Sequence, residues 1–164
     1  MADLSQDNQM PCYGDPIKIE VPAVGADTFY KGSLVFADAS NGKAQVDGLA
    51  AGDFFLGICA EQTVADAADD LVPIYVTGVW GFKISGTTAA DVGHSAVVDI
   101  SADSCNPDDV ISGIDATEAA GDIRLGGILS VHDSRAWVNL TGSYPIYADA
   151  NTDGHASWRY VAES

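Results

Sequence analysis

The stretch VPIYVTGVWGFKISG, Val72 to Gly86, decides the fold. Taken at every second residue, Val72, Ile74, Val76, Trp80, Phe82 and Ile84 share one face, with Gly78 between them. Tyr75, Thr77, Val79, Gly81, Lys83 and Ser85 take the other. A period of two is the mark of a strand with one buried face. Fourteen residues in a straight strand would extend roughly 46 Å, at about 3.3 Å per residue, well beyond the usual strand length. Gly78 and Gly81 are therefore expected to mark a bulge or a sharp bend.

The same grammar continues outward. IKIEV (17–21) alternates as a short strand, and FYKGSLVFAD (29–38) gives a second, with Leu34 and Phe36 opposite Val35. Asn41-Gly42 is a hairpin signal, because both residues tolerate positive φ. FFLGICAEQ (54–62) is continuously apolar, as a strand buried on both faces would be. TVADAADD (63–70) could form one helical turn, but its Asp run is at the wrong end for the helix dipole. One strand is expected over Ala96–Ile100, and at most a short one within NPDDVISGIDATEAAGD. RLGGILSVHDSRAWVNLTG (124–142) reads as a hairpin turning at His132-Asp133-Ser134. Short strands every ~8–12 residues, with Gly and Asp turns and almost no helix, predict an all-β barrel or sandwich of antiparallel strands. The predicted organisation is a flexible N-terminal arm (1–16), a β-domain (17–143) and a C-terminal arm (144–164).

Composition narrows the functions open to such a domain. The chain has 164 residues, 47% hydrophobic and 19% charged, a globular balance for one domain. Seven Lys and Arg face twenty-four Asp and Glu, a formal net charge of -17. Most of the acids are Asp placed singly in turns, where the short carboxylate bonds nearby backbone N–H groups. Lys18, Lys31, Lys43, Lys83, Arg124, Arg135 and Arg159 are scattered, so no cluster suits nucleic acid or an anionic membrane. No apolar run approaches the ~20 residues of a membrane-spanning helix. The first sixteen residues carry neither the basic nor the apolar region of a secretion signal. Cys12, Cys59 and Cys105 are odd in number and far apart, so free thiols are expected, with Cys59 in a buried strand.

Chemistry-bearing patterns are few. DANTDG (149–154) matches the first half of a calcium loop, with Asp149, Asn151 and Asp153 as candidate ligands. Where the motif needs a bidentate Glu the chain has Tyr160, and Asx turn chemistry is the simpler account. His94, His132 and His155 lack zinc-site spacing, no Ser or Cys has an evident base, and no cofactor is implied. Trp137, Phe54 and Phe55 read as core. Trp80 and Phe82 are on a core-facing register, but the bend beside them makes them interface candidates as well. Tyr144, Tyr147, Trp158 and Tyr160 lie in a polar tail with no core of its own, so a partner surface is expected for them.

The order of segments resembles the small all-β head decoration, or cement, proteins of tailed bacteriophages. The resemblance runs from about Ile17 to Gly142. It is carried by KGSLVFAD, by LGICAEQ in place of a Gly-Val-Ala strand, and by YVTGVWGFKISG, similar to a Gly-Val-aromatic strand. TAADVGHSAVVDIS and the closing RLGGILSVHDSRAWVNLTG complete it. The resemblance implies a homotrimer on the outer surface of a phage head, made in the host cytoplasm, clamping neighbouring copies of the major capsid protein. It implies no catalytic residue. Two other classes stay open: a calcium- or glycan-binding β-sandwich using DANTDG, and an enzyme or accessory domain whose site forms between subunits.

Overall fold

The computed structural model describes residues 6–50, 52–98, 105–112 and 123–140. Within them the chain is all-β, with thirteen strands in two main antiparallel sheets and a small third. The first sheet contains β1 (Cys12–Tyr13), β9 (Val79–Phe82), β10 (Ser95–Val98), β11 (Val110–Ser112), β12 (Ile123–His132) and β13 (Arg135–Asn139). Its spatial order is β1-β9-β13-β12-β10-β11. The second holds β2 (Lys18–Pro22), β4 (Leu34–Ala37), β5 (Ala44–Gln45), β6 (Phe54–Cys59) and β8 (Leu71–Tyr75), in the order β2-β8-β6-β4-β5. β3 (Asp27–Phe29) and β7 (Thr63–Ala65) pair separately.

The Val72–Gly86 stretch is two strands rather than one bent strand. β8 belongs to the five-stranded sheet and β9 to the six-stranded one, and the chain passes between them over Val76–Gly78. Gly78 has φ +111, a conformation L side chains rarely adopt, so it is the corner residue. Gly81 is not a bend. It sits in regular register opposite Trp137, and a Cβ there would come within 3.0 Å of Pro11 Cγ and of Arg135 Cδ. Its role is close approach.

The five-stranded sheet curls until its two edges touch. Ala23, just past β2, bridges Ala44 of β5, and the Val24 N–H donates to the Ala44 carbonyl at 2.9 Å. Ala37 pairs with the other side of Ala44. All three alanines are buried, and small side chains are what such a junction requires. Bulges at Leu56, Leu125 and Leu129, where a residue is skipped in the partner register, supply further curvature. One core joins both sheets, containing Phe36, Phe55, Ile58 and Ile74 from one and Trp80, Phe82, Ile128 and Val138 from the other.

Several local expectations change. FYKGSLVFAD divides at Gly32 (φ +85), so that Phe29 ends β3 in the small sheet while β4 begins at Leu34. All four residues of β4 are buried, so its alternation does not separate core from solvent. TVADAADD forms no helix: Thr63–Ala65 is strand, and the Asp70 carboxylate accepts from the Asp66 and Ala67 N–H groups in the turn that follows. Residues 6–16 are not a free arm. β1 extends the six-stranded sheet as its edge strand beside β9, and the Asn8 N–H donates to the Lys31 carbonyl at 2.8 Å. Backbone pairing fixes a segment whose side chains show no periodicity. The β12–β13 hairpin turns at Asp133 and Ser134, both at positive φ (54 and 58), as a two-residue primed turn demands. The C-terminal arm (144–164) lies outside the described residues.

Candidate functional site

Trp80 and Phe82 are 5% and 1% exposed, covered by their own chain. That corrects their candidacy as interface residues. Gly78 lets the chain fold tightly against Trp80, whose Nε1–H donates to the Thr77 carbonyl at 3.0 Å while its ring lies 5.3 Å from that of Tyr75. A Cβ on Gly78 would approach Trp80 Nε1 to 3.0 Å and Cys12 Sγ to 2.9 Å. The corner and the indole are therefore one structural unit.

Trp137 differs from its expected place. Ala136 and Val138 of β13 face the core, so Trp137 occupies the opposite face of the six-stranded sheet. It is nevertheless only 6% exposed, because Tyr13 lies against it at 4.3 Å between ring centroids and His132 stacks on it at 5.1 Å. Its Nε1–H is buried with no acceptor among the described residues. Tyr13 itself is 56% exposed. Sequence reasoning missed Tyr13 because it lay in a segment without pattern, and only the pairing of β1 with β9 brings it onto Trp137.

After Gly14-Asp15-Pro16 the chain reaches Ile17 and then β2, and both Ile17 and the β2 residue Ile19 are exposed on the edge of the five-stranded sheet. Beyond the Ala23 bridge, the outer edge of β2 has no ladder partner among the described residues. Residues 6–19 thus combine an outward aromatic, exposed isoleucines and open backbone groups, which is surface suited to another polypeptide.

Several of the described acids serve turns. Asp38 accepts from the Ser40 N–H and hydroxyl and from Asn41 Nδ2, and the Ser40 bonds hold its carboxyl below the usual range. Asp53 accepts from the Ala39 and Ala50 N–H groups and from Gln45 Nε2. Asp91 forms a capping box with Thr88 and also accepts from the Ser112 hydroxyl at 2.7 Å, which lowers its pKa. Among the described residues, no three His, Cys, Asp or Glu side chains are placed to hold a metal. The candidates Asp149, Asn151, Asp153, Tyr144, Tyr147, Trp158 and Tyr160 lie outside the described residues. No described helix is long and apolar enough to cross a membrane.

The cysteines are free thiols. Burial pushes Cys59 up from 9.0 to about 11, so folding keeps this thiol protonated. A raised folded-state pKa gives stability that is complete below the unfolded value and is lost as pH rises through the folded one. Urea midpoints of the native chain are therefore expected to fall between pH 9 and about 11 more steeply than those of Cys59→Ala, once the variant's constant offset is removed. Parallel curves would show that Cys59 ionises as easily in the folded chain as in the unfolded one.

No family model, curated protein or solved structure matches this chain.

Proposed function

We propose that the chain is a head decoration protein of a tailed bacteriophage, acting by surface contact as a homotrimer that braces neighbouring copies of the major capsid protein. The proposal rests on the segment order from Ile17 to Gly142 and on a curled β-domain in which Asp38, Asp53, Asp70 and Asp91 organise turns. One observation carries it above a generic β-domain: exposed Tyr13 on the edge strand of the six-stranded sheet is followed by exposed Ile17 and Ile19 at the edge of the five-stranded one, whose outer side has no ladder partner among the described residues short of the Ala23 bridge. An edge of this kind pairs or packs with another chain unless it is blocked. A net charge of -17 fits the outside of a shell, since a lining against packaged DNA would carry Lys and Arg.

Two measurements test this. Light scattering after size exclusion at micromolar concentration is expected to give three chains per particle, and the chain is expected to cosediment with empty heads of the phage that encodes it. A monomer that stays in the supernatant would overturn the proposal. A rise in melting temperature with calcium, absent in Asp149→Ala, would favour the calcium-binding class instead.

A further inference from the structure

Residues 6–13 form a strap across the body, seated in a groove shaped by missing side chains. The Asn8 N–H donates to the Lys31 carbonyl, the Lys31 N–H to the Asp7 carboxylate at 3.0 Å, and the Gly81 N–H to the Pro11 carbonyl at 3.0 Å. A Cβ on Gly32 would fall 2.3 Å from the Asn8 carbonyl oxygen, and one on Gly81 would press on Pro11. The groove fits this segment closely at the backbone.

Beside the strap the fit is looser. A cleft of about 210 Å³ is lined by Met10, Cys12 and Pro16 together with Ile58, Tyr75 and Trp80, while Met10 and Cys12 also pack against the core. Where Tyr13 lies against Trp137, the indole Nε1–H has no acceptor among the described residues. A short segment at a sheet edge beside a cleft is one that opens locally before the core does. It joins β2 through Gly14-Asp15-Pro16, where Gly14 takes φ +82 with open space around it. Short hinges of this kind favour exchange of an element between copies, because the exchanged contacts are the same and only the connection changes.

We propose that the strap is exchanged: residues 6–13 of one copy occupy the Gly32–Gly81 groove of the next, tying the oligomer together. The occupant is a second copy because the groove's hydrogen-bonding groups and its two glycine gaps match this chain's own Asp7, Asn8 and Pro11. The inference rests on the oligomer proposed above.

The test uses the full chain carrying Tyr13→Cys and Val79→Cys on a Cys12→Ser background. Tyr13 and Val79 are directly paired across β1 and β9. Such pairs have Cα atoms about 4.5–5.5 Å apart, within reach of a disulfide. After mild oxidation, a denaturing gel without reductant is expected to show most chains as covalent multimers. A gel showing only single chains, from a sample that light scattering finds oligomeric, overturns exchange and leaves the assembly standing. A sample that is monomeric before oxidation overturns both. Should this variant fail to fold, inserting six Gly/Ser residues after Gly14 in the native chain lets each strap return to its own body. The oligomer's dissociation constant is then expected to rise at least tenfold, and an unchanged constant overturns exchange.

Discussion

Trp80→Asp is expected to leave no stable folded domain. The side chain is 5% exposed, between the Gly78 corner and Tyr75, and its one polar atom is already bonded to the Thr77 carbonyl. Removing a buried Trp alone costs about 3–5 kcal/mol. The aspartate adds a carboxylate where an indole packed, and an unpaired buried charge costs several kcal/mol more or is held neutral at a similar expense. Domains of this size have about 5–15 kcal/mol in total, so the variant consumes most or all of it. Leu129→Asp is the control: Leu129 is the exposed bulge residue of β12, and surface changes of this kind usually stay within about 0.5 kcal/mol. Circular dichroism with urea titration of both variants checks this. A Trp80→Asp chain that stays folded but loses its oligomer would mean that Trp80 faces a partner and that the core assignment is wrong.

The contrast between Trp80 and Trp137 shows what the sequence could disclose. Period-two patterning reported the burial of Val72, Ile74, Trp80 and Phe82 correctly, because a side chain's face depends only on local geometry. It could not report that two sheets share those residues. Both lie against one core, so alternation continues through the corner at Gly78 as if a single strand ran on. Trp137 misled for the opposite reason. It is buried, but by Tyr13 and His132 on the outer face, and cover supplied by a non-periodic segment leaves no trace in the pattern of β13. The hairpins at Asn41-Gly42 and Asp133-Ser134 were readable from turn residues that tolerate positive φ, which Gly42, Asp133 and Ser134 adopt while Asn41 does not. The small strand β7 was not: three residues paired with β3 at long range outweighed the helical look of TVADAADD. The candidate surface was not legible: alternation of Ile17 and Ile19 marks a strand whose apolar face should be buried, yet both are exposed, and Tyr13 acquires meaning only once β1 is paired.

Neighbouring glycines in β12 should respond in opposite ways to the same added methyl group. A Cβ on Gly126 would lie 2.1 Å from the Asn139 carbonyl oxygen and 2.9 Å from its carbon, both backbone atoms of the adjacent strand. No rotamer change can relieve that collision, so β12 and β13 must separate where β13 ends and Leu140 donates to the Gly78 carbonyl. Overpacking a core usually costs about 1–3 kcal/mol, and contact with fixed backbone puts Gly126→Ala at or above the upper end. Gly127, one residue on, has nothing within 4 Å of its would-be Cβ and no left-handed φ. There the alanine mainly restricts the unfolded chain, so Gly127→Ala is expected to be neutral or to stabilise by up to about 1 kcal/mol. Urea midpoints of the two variants against the native chain decide the matter. Because Leu140 and Gly78 tie β13 to the corner between the sheets, the Gly126→Ala chain should also lose the protection of the Leu140 amide against hydrogen exchange, while Gly127→Ala retains it. Equal losses of stability in the two variants would mean that β12 and β13 do not approach each other as closely as this packing requires.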